Sequence, residues 1–448
     1  MPSDARTIAH RVLVRVDEGA AFASIALDAA LRSAGRLERR EAALATELVY
    51  GTLRRQLALD HALSAVSSRP LETLDASVRA ALRLGAYQLT HTRVPPRAAI
   101  NESVDLVKSG ADKAKAVAGF VNAVLRGLTR TKATGPDPDV DPVGALALET
   151  SHPRWLVERW TGWLGPEATA ALCRADDLQA GTSLRVNLAR GTREEAVARL
   201  AAEGATAQPC ARSPAGLSLV DGLPPNQLET LASGRAQVQD EAAQLVSLYA
   251  QPARGATVLD LCAAPGGKAC HLAELVGPEG RVVAVDKHLR KTEDIKAAAA
   301  RLGHANVEAH AADALFPLPF ANERSFGLVL LDAPCSGLGT LRRHPELKMR
   351  RKPADLAGLA ELQAALLDRA REYVAPGGYL VYAVCTLTAE ECDRQVDRFL
   401  ERSPDFALAP PIASPELADC LTPRGLLLTL PSKHGTDGFF AARFQRRA

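Results

Sequence analysis

The order of apolar and polar positions divides the chain into two kinds of predicted structure. Over residues 1–130, apolar residues recur three or four positions apart, as at Ile8, Val12 and Val16, and this spacing predicts amphipathic helices. From residue 257 onward, short branched apolar runs alternate with helical segments, which predicts a parallel sheet with helices on both faces. The predicted fold class is therefore multidomain, with an all-α front and an α/β Rossmann-like domain behind it.

The predicted strands of the α/β domain can be placed individually. They lie at residues 257–262, 281–286, 306–310, 326–332 and 379–385, and residues 426–430 and 439–444 complete the sheet. A helix is predicted at 355–374, before the fifth of these strands. Because ligands bind at the carboxyl ends of parallel strands, the residues that follow these runs are the first site candidates.

The middle of the chain predicts a smaller domain. Residues 131–142 contain three prolines among small and acidic residues, which is typical of a linker. A helical pattern at 153–177 leads to a predicted strand at 183–187, and Thr192 and Glu195 fit a capping box at the start of another helix. We therefore expect a helical domain at 1–132, a linker at 133–144, an α+β connector at 145–235 and the α/β domain at 236–448.

Composition narrows the class of protein. With 448 residues, of which 47% are hydrophobic and 24% charged, the chain is typical of a soluble globular protein with several domains. We find no apolar run of membrane-spanning length and no signal peptide, so we expect a cytoplasmic monomer without a membrane partner. The eight cysteines include no Cys-x-x-Cys pair, so we expect reduced thiols and no metal.

Charge is distributed unevenly along the chain. Residues 1–134 contain 20 Lys and Arg against 13 Asp and Glu, whereas the net charge of the whole chain is +2. A basic front half points weakly to nucleic acid. The helical domain has arginines interleaved among its apolar positions, at Arg36, Arg39, Arg40, Arg54 and Arg55. They form either a solvated surface or a patch for RNA phosphates, and charge alone does not separate the two.

A glycine turn lies where the first strand of the α/β domain meets its first helix. Residues 260–268 read Asp-Leu-Cys-Ala-Ala-Pro-Gly-Gly-Lys, and Gly266 and Gly267 allow a ligand to approach the backbone closely. A phosphate loop is excluded, because that motif needs glycine where Cys262 stands and Ser or Thr where Ala269 stands.

Two carboxylates follow the next two predicted strands. Asp286 is placed to accept hydrogen bonds from both hydroxyls of a ribose, and Asp313 could accept one from an adenine amino group. Each aspartate alone is as readily a helix cap as a ligand. Together with the glycine turn and without a phosphate-binding element, they suit an adenosine that carries a cation, and S-adenosylmethionine is such a molecule.

Two further strand ends carry thiols. Cys335 lies in Asp-Ala-Pro-Cys-Ser-Gly at 332–337, and Cys385 follows the strand at 379–385. A cysteine in such a place is either a small buried hydrophobe or a nucleophile, and the residues alone leave both open.

Several motifs resemble those of the RNA cytosine-5 methyltransferases and occur in the same order. They are Val-Gln-Asp-Glu-Ala at 238–242, the turn at 260–268, the Cys335 motif at 332–337, Arg-Arg-His-Pro at 342–345 and Asp-Gly-Phe-Phe at 437–440. The resemblance covers residues 180–448. It implies methyl transfer from S-adenosylmethionine to carbon 5 of cytosine, through a thiol adduct at carbon 6.

The resemblance also implies roles for the site residues. Cys385, in Tyr-Ala-Val-Cys-Thr at 382–386, would attack the base, and Cys335 would assist release of the product. Asp332 would hold N3 and the amino group of cytosine, with Lys268 beside it. The cofactor would be held by Cys262, Ala263, Ala264, Pro265, Gly266, Gly267, Lys268, Asp286, Asp313 and Asp332.

RNA contacts are expected in three parts of the chain. Residues 97–108 and 119–127 resemble the paired signatures of the NusB domain, an all-helical RNA-binding module. With this domain in front, the resemblance implies 16S ribosomal RNA of the small subunit as substrate, with tRNA, or a non-catalytic RNA-binding factor, as alternatives. Arg185 and Asn187 match an Arg-Val-Asn element of the family, and Arg342, Arg343 and His344 open a basic run beside the Cys335 motif.

Overall fold

The computed structural model describes residues 4–19, 21–35, 37–108, 114–321, 324–412 and 414–448. The chain divides into two compact units. We call Met1–Leu178 together with Leu341–Lys352 the helical unit, and Gln179–Thr340 together with Pro353–Ala448 the sheet unit. The chain therefore leaves the sheet unit after Thr340 and returns to it at Pro353.

The helical unit confirms that the front of the chain is all-helical, and its helices continue past residue 132 to Asp176. Its helices are α1 (Ala5–Asp17), α2 (Ala23–Ser33), α3 (Arg39–Arg54), α4 (Gln56–Ser64), α5 (Ala76–His91), α6 (Pro96–Asp105), α7 (Ala114–Leu128), α8 (Pro142–Glu149), α9 (Arg154–Leu164) and α10 (Pro166–Asp176), with a 3-10 helix at Leu71–Thr73. Helix α1 begins where the Asp4 side chain accepts a hydrogen bond from the backbone N–H of Thr7, at 2.7 Å. Its apolar stripe, which includes Ile8 and Val12, is buried in the core of the unit.

The arginines of this unit do not form one solvated face. Arg54 is buried, and Arg55 pairs with the Asp177 carboxylate at 3.0 Å. Arg39 and Arg40 are exposed, and Arg36 lies outside the described residues. The described residues therefore do not show an RNA-binding patch built from all five of the predicted arginines.

The sheet unit begins with a small antiparallel sheet. Its elements are β1 (Thr182–Val186), α11 (Arg193–Ala202), β2 (Thr206–Pro209), β3 (Gly216–Asp221), α12 (Glu229–Ala232) and β4 (Ala236–Val238), with a 3-10 helix at Pro225–Gln227. The strand order is β2-β3-β1-β4. The predicted capping box is present at the start of α11, where Thr192 and Glu195 bond reciprocally.

The larger sheet follows. Its strands are β5 (Thr257–Leu261), β6 (Arg281–Asp286), β7 (Val307–Ala311), β8 (Phe326–Asp332), β9 (Val374–Val384), β10 (Phe406–Leu408), β11 (Leu427–Thr429) and β12 (Phe439–Arg446). The helices of this part of the sheet unit are α13 (Glu241–Ala250), α14 (Gly267–Val276), α15 (Leu289–Leu302), α17 (Pro353–Tyr373), α18 (Asp393–Arg402) and α19 (Pro431–His434), with a 3-10 helix at Ala418–Cys420. Helix α16 (Leu347–Arg350) lies between β8 and α17 in the sequence and belongs to the helical unit.

The order of the strands explains where a site can form. The order is β10-β12-β9-β8-β5-β6-β7, with β11 paired to β12. Strands β5 to β9 run parallel, and β12 joins β9 in antiparallel orientation. The parallel strands therefore bring their carboxyl ends to one edge, which confirms the predicted Rossmann-like sheet.

Among the described residues, no helix is both long and apolar enough to cross a bilayer.

The segment Leu341–Lys352 packs into the helical unit. The Glu346 carboxylate accepts a hydrogen bond from the Ala23 N–H at 3.0 Å. The Lys348 ammonium is buried, where it donates to the Thr150 carbonyl at 3.1 Å and lies 3.4 Å from the Asp177 carboxylate. The basic run at 342–352 is thus partly internal, because these partners replace solvent around its charges.

Candidate active site

Two adjacent strands bring the two thiols together. In the parallel pair β8 and β9, Asp332 lies opposite Ala383, and the N–H of Ala333 donates to the Ala383 carbonyl at 2.9 Å. Cys335 follows the first of these strands and Cys385 the second. Their Sγ atoms lie 3.4 Å apart, within hydrogen-bond distance for sulfur. The structure therefore makes one site of two motifs that stand fifty residues apart.

The surroundings of Cys335 favour the protonated thiol. The hydrogen bond with Cys385 raises the pKa of Cys335 well above its ordinary value, and burial and the nearby Glu391 charge raise it further. At neutral pH, Cys335 therefore holds a proton that it can donate toward the Cys385 sulfur. This is the behaviour of a proton donor, whereas a nucleophilic cysteine needs the thiolate.

A half-buried ion pair stands beside the thiols. The ammonium of Lys268, in the first turn of α14, lies 2.7 Å from the Asp332 carboxylate and 5.0 Å from the centre of the Phe439 ring. Burial lowers the pKa of Lys268, but Asp332 and Cys385 raise it more, so the net pKa lies above its ordinary value. Lys268 is therefore charged at neutral pH and can stabilise negative charge near Asp332 and Cys385.

The glycine turn closes tightly between β5 and α14. Gly266 has φ +96°, and a Cβ there would lie 3.2 Å from the Cα of Ile295. The N–H of Gly266 donates to the Ala263 carbonyl, and the N–H of Ala263 donates to Val285 of strand β6. The turn at 262–267 is thus held against β6, and Gly266 is required both for its backbone angle and for its close approach.

A cavity lies along the ends of β5, β6 and β7. Its volume is about 220 Å³, and its walls include Cys262, Asp286, Asp313 and Pro334. The sequence placed the first three of these residues in the cofactor group, and the structure brings them together. One oxygen of Asp286 caps the loop by accepting from the His288 N–H at 3.0 Å, and one oxygen of Asp313 does the same for Leu315. Asp286 and Asp313 therefore also act as caps of their own loops, which is the alternative to ligand binding that the sequence left open.

Sequence reasoning missed part of this cavity wall. Lys287, His288 and Lys291 line it on one side, and Leu362 and Leu366 of α17 line it on another. The basic residues directly follow Asp286, so the strand end itself was the available signal. The two leucines come from a helix one hundred residues away in sequence order, and no local pattern links them to the turn.

Asp260 differs from the other acidic residues at the strand ends. Its side chain is fully buried, and neither of its carboxyl oxygens has a hydrogen-bond partner. Burial raises the pKa of Asp260 well above its ordinary value, and the charge of Asp332 raises it further. Its surroundings therefore favour the neutral carboxylic acid over the carboxylate. Asp260 is not among the residues that line the cavity.

Arg185 and Asn187 do not reach the surface for RNA contact. Arg185 is buried, where it donates to the Gln239 side chain at 2.7 Å and pairs with Glu274. Asn187 is also buried and donates to the Leu302 carbonyl at 2.8 Å. The structure therefore corrects this expectation: both side chains join parts of the sheet unit internally, because buried polar groups need internal partners.

The other expected RNA residues belong to the helical unit. Arg342, Arg343 and His344 are partly exposed, and the His344 ring packs edge-on against Phe22 at 5.7 Å. Their contact with RNA stays a prediction.

One group in the described chain could offer three metal-ligating atoms, namely Asp419, Cys420 and His434. The Asp419 carboxylate is already bound by the Arg212 guanidinium at 2.6 Å. Nδ1 of His434 accepts from the Leu430 N–H at 2.8 Å, and its Nε2 lies 3.1 Å from the Asp419 carbonyl oxygen. These contacts hold the 3-10 turn in place and occupy the atoms that a metal would need.

Comparison with known proteins agrees with this geometry. Residues 247–445 match the family described as 16S rRNA methyltransferase RsmB/F, residues 3–130 match the NusB family, and residues 152–224 match the ferredoxin-like domain of RsmF/B-like methyltransferases.

Relatives cover nearly the whole chain. A probable ribosomal RNA small subunit methyltransferase B from Bacillus subtilis is 37% identical over 99% of this chain and 98% of its own length. The ribosomal RNA small subunit methyltransferase B of Pseudomonas putida is 36% identical over 98% of this chain and 97% of its own. The crystal structure of the protein PH0851 superposes with a TM-score of 0.85 at 28% identity, covering 99% of both chains. The chain therefore belongs to the RsmB/F family of 16S rRNA methyltransferases, with a NusB domain in front.

Proposed function

We propose that this protein transfers a methyl group from S-adenosylmethionine to carbon 5 of a cytosine in small-subunit ribosomal RNA. The observation that carries the proposal is the pair of thiols 3.4 Å apart, at neighbouring strand ends beside the Lys268–Asp332 ion pair. A methyltransferase acting on oxygen or on an exocyclic nitrogen needs no thiol nucleophile. Carbon 5 of cytosine needs one, because it becomes nucleophilic only after addition at carbon 6.

Each thiol has its own step in this reaction. The Cys385 thiolate forms a bond to carbon 6, and the electron pair of the 5,6 double bond becomes available at carbon 5. The cofactor supplies the methyl group from its sulfonium, and carbon 5 takes it. Solvent water then takes the proton from carbon 5, the electron pair of that C–H bond restores the double bond, and the bond between sulfur and carbon 6 breaks so that Cys385 leaves as the thiolate that began the cycle. The Cys335 thiol, beside the departing sulfur, donates a hydrogen bond that stabilises this thiolate.

Asp332 and Lys268 act on the base. Addition at carbon 6 moves negative charge toward N3 and O2 of the cytosine ring. Asp332 holds the edge of the base that carries N3 and the amino group, and the Lys268 ammonium stabilises the charge that develops. Because the pair is partly shielded from solvent, its electrostatic effect on the base is stronger than it would be in water.

The cavity at the strand ends suits the cofactor. Asp286 offers a carboxylate to the ribose hydroxyls and Asp313 to the adenine amino group, while Leu362 and Leu366 provide apolar surface. A cofactor that carries a positive sulfonium is favoured by acidic groups nearby. We infer that the residues of the turn at 262–267 complete this site, with Lys268 and Asp332 at the end where the methyl group is transferred.

The substrate is inferred from the family. Relatives over the whole chain are named small-subunit ribosomal RNA methyltransferases, and the NusB match accounts for the basic helical front. We therefore favour ribosomal RNA over tRNA. The intact set of both thiols, Lys268 and Asp332 favours an enzyme over a non-catalytic RNA-binding factor. As part of this proposal, the enzyme works as a monomer in the cytoplasm.

The test is a direct product analysis. The purified protein is incubated with S-adenosylmethionine labelled in its methyl group and, in separate tubes, 16S ribosomal RNA, small ribosomal subunits and tRNA. The RNA is digested, and its nucleosides are separated and weighed by mass spectrometry. We expect 5-methylcytidine from the ribosomal samples. Label in another nucleoside would overturn the carbon-5 assignment, and label in tRNA alone would overturn the substrate.

A further inference from the structure

Behind the two thiols lies a buried carboxylate whose charge raises the pKa of Cys335 and whose hydrogen bonds have no role so far. Glu391 stands in the turn between β9 and α18, and its side chain is fully buried. It does not line the cofactor cavity. A buried carboxylate is costly unless several donors surround it, so its contacts show what it holds together.

One set of contacts reaches the loop of Cys335. The carboxylate accepts from the backbone N–H of Ser336 at 2.8 Å and from the Ser336 hydroxyl at 2.6 Å. Ser336 is the residue directly after Cys335, and its side chain is fully buried. Because Glu391 binds both backbone and side chain there, it fixes the path of the chain as well as one rotamer.

A second set of contacts stays within the loop of Cys385. Oε2 of Glu391 accepts from the Thr388 hydroxyl at 2.9 Å and from the Thr386 hydroxyl at 3.3 Å. The hydroxyls of Thr386 and Ser336 also lie 2.6 Å apart. Thr386 directly follows Cys385, so the residues next to both thiols meet at one carboxylate.

A third set of contacts ties the Glu391 carboxylate to helix α17 and the Glu391 backbone to strand β9. The side-chain N–H of Gln363 donates to Oε1 of Glu391 at 2.9 Å and to the Pro334 carbonyl at 3.0 Å. The Tyr382 hydroxyl lies 3.0 Å from the side-chain Oε1 of Gln363 and 2.8 Å from the backbone carbonyl oxygen of Glu391. Pro334 precedes Cys335, so the Cys335 loop is held from both sides.

We propose that Glu391 is a positioning residue that holds the two thiol loops together, so that Cys335 and Cys385 stay in contact. A carboxylate suits this place because it only accepts hydrogen bonds, and the groups around it donate. The consequence for catalysis rests on the proposed cytosine-5 chemistry, but the distance between the thiols does not. Glu391 acts on the reaction by holding the two loops, in addition to the effect of its charge on the pKa of Cys335.

The proximity of the thiols can be measured without methyl transfer. Diamide oxidises two neighbouring thiols to a disulfide, and it takes up the two electrons and two protons that they lose. Full-length protein is treated with diamide, unreacted thiols are blocked, and the peptide linking Cys335 to Cys385 is quantified by mass spectrometry over time. We expect rapid linkage in the wild-type protein, because the sulfur atoms are already 3.4 Å apart.

Variants of Glu391 test whether its hydrogen bonds keep the two thiol loops together. In Glu391→Ala the donors of Ser336 and Gln363 lose their acceptor, and we expect the linkage to form about tenfold more slowly. Glu391→Gln keeps the size and one acceptor oxygen, and nearby hydroxyls can rotate to accept from its amide, so we expect it to restore the rate to within about threefold. The matched control is Glu401→Ala, at an exposed glutamate of α18.

A milder variant covers the case in which Glu391→Ala does not fold. Ser336→Ala removes the hydroxyl contact and leaves the backbone N–H contact, so linkage should slow about threefold while thermal unfolding stays cooperative. Linkage rates equal to wild type in a folded Glu391→Ala or in Ser336→Ala would overturn the proposal.

Methyl transfer then tests the link to catalysis. We expect Glu391→Ala to lower kcat about a hundredfold and to leave the KM for S-adenosylmethionine unchanged, with recovery in Glu391→Gln. If the linkage results hold but the wild-type protein makes no 5-methylcytidine, the proposed function fails and the positioning role stands. If 5-methylcytidine forms and Glu391→Ala links at the wild-type rate, the positioning role fails alone.

Discussion

The loops after β8 and β9 invite comparison, because each follows a parallel strand and each carries a cysteine. The first holds Asp332, paired with Lys268, and a Cys335 whose pKa is raised by Cys385 and by burial. The second holds Cys385 and, six residues later, the Glu391 carboxylate that binds the first loop. Two similar strand ends thus become unequal through their contact with each other: Cys335 keeps its proton, and Cys385 is the thiol that attacks in the proposed reaction.

The largest expected effects come from replacing each of the two thiols in turn. Cys385→Ala should abolish methyl transfer, because no group remains to add to carbon 6. Cys335→Ala should still form the bond to RNA but release it slowly, so that a covalent protein–RNA adduct accumulates. The measurement is a denaturing gel of each variant after incubation with ribosomal RNA and labelled S-adenosylmethionine.

Wild-type protein and the double variant Cys335→Ala with Cys385→Ala serve as controls, and neither should show the adduct. The assignment of roles would be reversed if Cys385→Ala accumulated an adduct and Cys335→Ala did not.

A smaller effect is expected where the backbone passes close to the second loop. The Gly339 N–H donates to the Cys385 carbonyl at 3.1 Å, and a Cβ on Gly339 would lie 1.9 Å from the Gly438 carbonyl oxygen. Gly339→Ala must therefore push the backbone away from Cys385. We expect turnover to fall about a hundredfold and stability to fall by about 1–3 kcal/mol, measured by initial rates and by denaturant unfolding.

The matched control is Gly358→Ala, in the exposed part of α17, where a Cβ would meet nothing within 4 Å. Alanine in a helix interior should raise stability by about 0.5–1 kcal/mol and leave turnover unchanged. Equal losses of turnover in both variants would show that the close approach at Gly339 does not matter to the thiols.

The smallest expected effect concerns the pKa of Cys335 with and without its neighbour Cys385. Since the hydrogen bond with Cys385 is the main reason for the raised pKa of Cys335, Cys385→Ala should lower that pKa toward its ordinary value. A larger fraction of Cys335 is then thiolate at pH 8.5, and iodoacetamide should alkylate it several-fold faster than in the wild-type protein. Peptide mass spectrometry over pH 7 to 10 measures both rates, and a slower reaction in the variant would contradict the cause we assign.

Much of the sheet could be predicted from the sequence, because its strands are short apolar runs that end in turn residues. Strand β6 was predicted at its observed bounds, and β8 as well. Strand β10 was not predicted, since Phe406–Leu408 is too short to show a period. The strand order was also beyond a local pattern, and that order is what places Cys335 beside Cys385.

The residues expected to bind RNA show the limit of reasoning from charge. Arg185 looked like a nucleic-acid contact, but Glu274, from a distant part of the chain, takes its charge inside the protein. Lys348 belongs to a basic run, and its partner Asp177 precedes it by 171 residues. A sequence pattern shows which residues are charged, whereas only the fold shows which of them already have an internal partner.

The excursion of the chain through the helical unit affects how the gene can be divided. A cut after Leu178 leaves the carboxyl fragment with Leu341–Lys352, whose packing partners have gone, and leaves Asp177 of the other fragment without Lys348. The unpaired ammonium and the apolar side chains of this stretch would then face solvent. A chimera that exchanges the front of this protein with that of a relative must therefore exchange two stretches of coding sequence together.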